Sequence, residues 1–137
     1  MNRAELQRLA KERISDAKIL LDAGHWSGAY YLAGYAVECA LKACIAKLMK
    51  AEEFPDKGVA EKCWTHNLTQ LVGVAGLKDE LKDALNGDAK LRNCWDTVKD
   101  WDESSRYARK PKAKAVNLYT AITDKKHGVL SWLKSRW

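Results

Sequence analysis

From Ser27 to Lys50 the chain reads SGAYYLAGYAVECALKACIAKLMK, its longest apolar-periodic stretch and one without proline. Tyr30, Ala33, Val37, Ala40, Leu41, Cys44 and Leu48 recur at steps of three and four, which puts them on one face of an α-helix. A second stripe, Tyr31, Gly34, Glu38 and Ile45, runs beside it. A helix apolar over so much of its girth belongs at the centre of a bundle. Glu38 and Lys42 stand four apart with the acid first, the favourable order for a helical ion pair. The small residues Ala29, Ala33, Gly34, Ala36, Ala40 and Ala43 leave room for a neighbouring helix, or a second copy of the chain, to approach closely.

The rest of the pattern is helical too. Residues 3 to 23 predict a first helix, with Leu6, Leu9, Ala17, Leu20 and Leu21 inward and Gly24 as its C-terminal stop. Ser27 is the expected N-cap of the central helix, with Trp26 and Tyr31 as a hydrophobic staple. The short turn between them makes an antiparallel hairpin. A loop with Pro55 and Gly58, holding at most a short helical turn, leads to Thr65, the expected cap of a helix from His66 to Val74 weakened by Gly73 and Gly76. A short helix, Leu77 to Leu85, ends at Asn86-Gly87. Asp88 caps a helix reaching Glu103, and Pro111 opens a last one from Lys112 to Lys134, with Gly128 as its weak point. No run alternates over enough residues to make a strand. The expected fold is all-α, an up-and-down four-helix bundle with a short additional helix, in one domain over residues 1–137.

Composition adds a charge bias. A net charge of +6 favours anionic partners such as nucleic acid, nucleotides or an acidic protein. Cys39, Cys44, Cys63 and Cys94 lack C-x-x-C spacing and read as reduced, mostly buried thiols of a cytoplasmic protein. No apolar run is long enough to cross a membrane, and no signal peptide opens the chain. No metal or cofactor is expected. His25, His66 and His127 do not pair with one another at ligand spacing, and no P-loop, G-x-G-x-x-G or G-x-S-x-G occurs.

The sharpest chemical feature is the segment Arg106, Arg109, Lys110, Lys112 and Lys114, five cations within nine residues. Tyr107 is interleaved, and Trp101 lies just upstream. Cations for phosphates beside an aromatic that stacks on a base suit RNA or nucleotide binding. The plainer reading is a solvated loop and first helical turn, as most charge runs are. His66 opens a helix as a packing or hydrogen-bonding residue, or as a general base.

Taken together, AYYLAGYAVECALKACI, a loop, THNLTQL and a late SRY after a Trp-rich helix resemble the HEPN domain, a family of small α-helical domains named for nucleotide binding in higher eukaryotes and prokaryotes. The most specific part is A-x-E-x-A-L-K-A at Ala36 to Ala43. The resemblance implies a helical bundle, usually a homodimer. Many members are metal-independent ribonucleases, often toxins paired with a nucleotidyltransferase antitoxin. Their R-x4-6-H motif supplies a histidine for the ribose 2′-OH and an arginine for the phosphorane.

This chain departs from that motif. After Arg106 the required positions 111 to 113 hold Pro, Lys and Ala, and after Arg92 positions 97 to 99 hold Thr, Val and Lys. Arg3 and Arg109 also lack a histidine at that distance. What the resemblance carries over is Glu38, Lys42, His66 and Arg106-Tyr107 as polar groups lining a groove. The expected function is a non-catalytic binding module presenting Arg106, Tyr107, Arg109, Lys110 and Lys112 to RNA or a nucleotide, or pairing with a nucleotidyltransferase in a toxin–antitoxin or defence setting. Two alternatives stand beside it: a metal-independent ribonuclease with a displaced set, His66 with Arg106, and a purely structural partner subunit.

Overall fold

The computed structural model describes residues 1–49, 54 and 56–137. Helix α1 spans Arg3–Asp22 and begins at a capping box, in which Asn2 accepts from the Glu5 N–H while Glu5 accepts from the Asn2 N–H. It ends where Gly24 adopts φ +80. There the Gly24 N–H bonds the Leu21 carbonyl and the His25 N–H bonds the Leu20 carbonyl, which satisfies the last turn and reverses the chain. Helix α2, Trp26–Leu48, then packs back along α1.

The expected cap at Ser27 does not form. Helix α2 starts at Trp26 with His25 in the cap position, and His25 gives no side-chain bond. The Ser27 hydroxyl instead accepts the Lys110 N–H at 2.9 Å, a donor from 83 residues away. The Trp26–Tyr31 staple, which depended on that cap, goes with it. At the other end Leu48 is 59% exposed rather than in the core. The expected end at Lys50, and Pro55, lie outside the described residues.

After α3 (Lys57–Lys62), the cap of α4 (Leu68–Val74) is Asn67, not Thr65. Asn67 accepts from the Gln70 N–H at 2.9 Å, and the Thr65 hydroxyl accepts from the Asn67 N–H while donating to Gln70 Oε1. His66 therefore sits just before the helix. Gly76, expected as a weakness, is the stop of α4, with φ +71 and the same pair of closing bonds as Gly24. Helix α5 covers Lys78–Gly87. Asp88 caps α6 as expected, but α6 is Ala89–Val98 and ends well short of Glu103. Asp102 then caps a separate 3-10 helix, Glu103–Tyr107, by accepting from the Ser104 N–H.

The last helix is likewise two, α7 (Lys112–Thr123) and α8 (Val129–Lys134). Asp124 breaks it by accepting the N–H groups of Lys126 and His127. Gly128 lies so close to the backbone of Ile122 and Asp124 that no Cβ fits there. The described residues thus form eight α-helices and one 3-10 helix, without strands.

Helix α2 is the centre, with 13 of its 23 residues buried and α1, α4, α7, α8 and the 3-10 helix packed on it. Ala29, Ala33, Gly34, Ala36, Ala40 and Ala43 are all buried under this chain's own elements, so they do not form an open face for a second copy. Gly34 is the sharpest case. The indole of Trp101, 1% exposed, lies directly on it and stacks on Tyr31 with centroids 6.1 Å apart. Trp101 Nε1–H has no acceptor among the described residues. That costs about 1–3 kcal/mol. Burying a tryptophan's ~200 Å² at about 25 cal/mol/Å² returns about 5 kcal/mol, so the packing wins. No described helix is long and apolar enough to cross a membrane.

Candidate functional site

Three elements bring four polar side chains together beside Trp101. Glu38 projects from the middle of α2 and is only 2% exposed. A carboxylate so buried requires charged partners. It has two: His66 Nδ1 at 2.7 Å from one oxygen and Lys42 Nζ at 3.4 Å from the other. His66 arrives from the α3–α4 linker, placed by the Thr65–Asn67–Gln70 network. Its second nitrogen, Nε2, lies 3.0 Å from Glu103 Oε2, at the start of the 3-10 helix. Lys42, Glu38, His66 and Glu103 thus form one continuous chain of polar contacts.

Glu38 and Lys42 also line a groove of about 540 Å³ between α1 and α2, walled by Leu6, Leu9, Tyr35, Cys39 and Trp64. Cys39 is inert there, since burial pushes its thiol up to about 12. Among the described residues no three His, Cys, Asp or Glu side chains converge to hold a metal ion.

The basic segment divides in two. Arg106 and Tyr107 remain at the His66 end. The Arg106 guanidinium lies 4.7 Å from the Tyr107 ring centre, and Tyr107 is 80% exposed. Tyr107 first, then Glu103 and Tyr31, push the Arg106 pKa up. Arg109, Lys110 and Lys112 gather instead at the start of α2. Lys110 Nζ sits 4.8 Å over Tyr30 and Lys112 Nζ 5.5 Å over Trp26. Arg109 and Lys110 line a shallow depression with His25, Trp26 and Ser27. Two of the five expected anion contacts thus also fasten the 108–112 segment to α2.

Glu38, Lys42 and His66, expected together, do meet. Glu103 was missed, because helical periodicity made it the exposed end of a longer helix. The usable signal was Asp102, whose carboxylate starts a new turn two residues on. A model of the HEPN domain matches residues 4–134. The chain belongs to the HEPN family. A search of the curated proteins and a search of the solved structures found no match. HEPN membership ties the chain to a nucleotide- or RNA-related role, and Glu38, held by His66, is the one buried charged side chain among the described residues.

Proposed function

We propose that this HEPN domain is a non-catalytic binding module for phosphate-bearing ligands, RNA or a nucleotide, acting as a homodimer or beside a nucleotidyltransferase. One observation carries the reading: the chain lacks the R-x4-6-H pair. In the ligand-free protein both ring nitrogens of His66 face carboxylates instead, at 2.7 and 3.0 Å. Binding is supported by exposed Arg106, Tyr107 and Arg109, a pattern of cations beside a stacking ring.

Fluorescence anisotropy with labelled single-stranded RNA, and calorimetry with nucleotides, test this at low salt. Affinity should fall steeply with salt, and Arg109→Ala should flatten the log–log slope by about 0.7 for one lost phosphate contact. Absence of affinity for both ligands at low salt removes the reading. Incubation with mixed RNA in EDTA tests the enzyme alternative. Cleavage abolished by His66→Ala makes the domain a ribonuclease with a displaced set.

A further inference from the structure

We propose that the Glu103 carboxylate fills the phosphate position of this site, and that a nucleotide phosphate replaces it on His66 Nε2 and Arg106 when ligand binds. The inference rests on the phosphate-binding reading above. Its geometry begins at Glu38. Because Glu38 is 2% exposed and holds Nδ1 at 2.7 Å, the imidazole ring is fixed and Nε2 has a set direction. The nearest anion to it comes from the chain itself, Glu103 Oε2, 3.0 Å away.

The two carboxylates differ in freedom. Glu38 is locked inside α2, whereas the Glu103 side chain is 42% exposed on the first residue of a five-residue 3-10 helix. That helix is anchored independently of Glu103, by the Asp102 cap and by the burial of Ser105. Glu103 can therefore swing outward by side-chain rotation alone. A 3-10 helix has three residues per turn, so positions i and i+3 eclipse. Glu103 and Arg106 are such a pair and share a face. A phosphate oxygen placed where Glu103 Oε2 now lies is 3.0 Å from Nε2 and has the Arg106 guanidinium one turn away. Both are charge-assisted donors suited to phosphate. Tyr107 follows, 80% exposed, as a platform for the attached base. Glu103 is thus an internal competitor that occupies the site until a ligand displaces it.

The test compares wild type, Glu103→Ala, Glu103→Gln and Asp100→Asn for binding of a fluorescein-labelled oligouridylate and, separately, ATP. Asp100 is an exposed acid in the same region that does not touch His66, so it controls for charge alone. Glu103→Ala should tighten binding about tenfold, the scale of one charge-assisted hydrogen bond released from competition. Glu103→Gln should tighten it less, and Asp100→Asn by less than about twofold. His66→Asn added to Glu103→Ala should cancel the gain. In unmodified protein, either ligand should shift the His66 Nε2 resonance in long-range imidazole nitrogen spectra. A gain with both ligands supports a lone nucleotide phosphate as sufficient, and a gain with oligouridylate alone supports a phosphodiester within a strand. If wild type binds but Glu103→Ala gains no more than Asp100→Asn, or keeps its gain without His66, the inference falls and the binding reading stands. If neither wild type nor Glu103→Ala binds either ligand, both fall.

Discussion

Replacing His66 by Ala removes the nearer of the two partners that hold a buried carboxylate. Breaking a buried ion pair by deleting one partner costs about 3–5 kcal/mol when the remaining charge is stranded. Glu38 is not wholly stranded, because Lys42 Nζ remains 3.4 Å away. The His66 side chain is also 39% exposed, so water can reach the space it leaves. Both facts lower the cost, and about 2 kcal/mol is expected. For a domain of 137 residues, about 4 °C of Tm per kcal/mol gives a fall of about 8 °C. Urea denaturation followed by far-ultraviolet circular dichroism measures it. The decisive form is a double-mutant cycle with Glu38→Gln. In the Glu38→Gln background no carboxylate is left to strand, so His66→Ala should cost less there, with a coupling energy of about 1–2 kcal/mol. If the two substitutions add within about 0.4 kcal/mol, the pair does not hold the fold and the site has been misread.

Gly34→Ala drives a Cβ into the indole of Trp101, which is 1% exposed and cannot move aside. A thermal melt should show a loss of about 3 kcal/mol, and a loss below about 1 kcal/mol would mean that the indole does not lie on α2. Acid should weaken the α6–α8 end. The Asp88 carboxyl is held below its usual range by the His127 side chain first and then by the N–H groups of Leu91 and Lys90, and Asp124 by the N–H groups of His127 and Lys126. A folded pKa lowered in this way stabilises fully above the unfolded value, about pH 4, and that stability is lost as pH falls through the folded value. Urea melts at descending pH should therefore show an acid limb that is shallower in Asp88→Asn. Burial pushes the thiols of Cys39 and Cys44 up to about 12 and about 11 and, with Asp124 and Asp88, raises that of Cys94 too, so at mildly alkaline pH a disulfide reagent should label Cys63 first in the folded protein, Cys94 more slowly, and all four cysteines only in denaturant.

How far these features are legible in the sequence depends on the range of the interaction behind them. Helix α2 is legible because its apolar stripe is local and almost all of it is buried. Gly24 is legible because glycine alone takes a positive φ without strain. The single long helix drawn through Gly128 fails for a definite reason. Ile122, Val129, Leu130 and Leu133 keep a helical rhythm across the break, while the break itself is made by the Asp124 carboxylate accepting the N–H groups of Lys126 and His127 and by a backbone contact that excludes a Cβ. Ser27 misleads in the opposite way. It has the right chemistry for a cap, but a backbone N–H from Lys110 claims its hydroxyl. The Glu38–Lys42 pair is legible from its spacing of four, whereas His66 joins them only through the family resemblance, since periodicity alone gives no reason for residues 38 and 66 to touch. Glu103 has neither a local pattern nor a motif to mark it, and only the tertiary fold brings it to Nε2.

The same geometry determines how function can be tested without confusing it with stability. Glu38 and His66 tie α2 to the α3–α4 linker, and through Glu103 to the 3-10 helix. Any variant at Glu38 or His66 therefore changes the frame along with the ligand site, and lost binding there, His66→Asn included, counts only beside a folded far-ultraviolet spectrum and a urea midpoint that keeps the variant native in the assay. Lys110 and Lys112 carry the same ambiguity, since each sits over an aromatic ring of α2. Arg109 does not. It is exposed and makes no hydrogen bond or ion pair among the described residues. Arg109→Ala should leave stability within about 0.5 kcal/mol of wild type, as exposed substitutions usually do. A loss of RNA or nucleotide affinity in that variant, at unchanged urea midpoint, would then report ligand contact and nothing else. Unchanged affinity, beside a loss in Arg106→Ala, would confine the phosphate contacts to the His66 end and leave the α2 end as a fastening of the chain to itself.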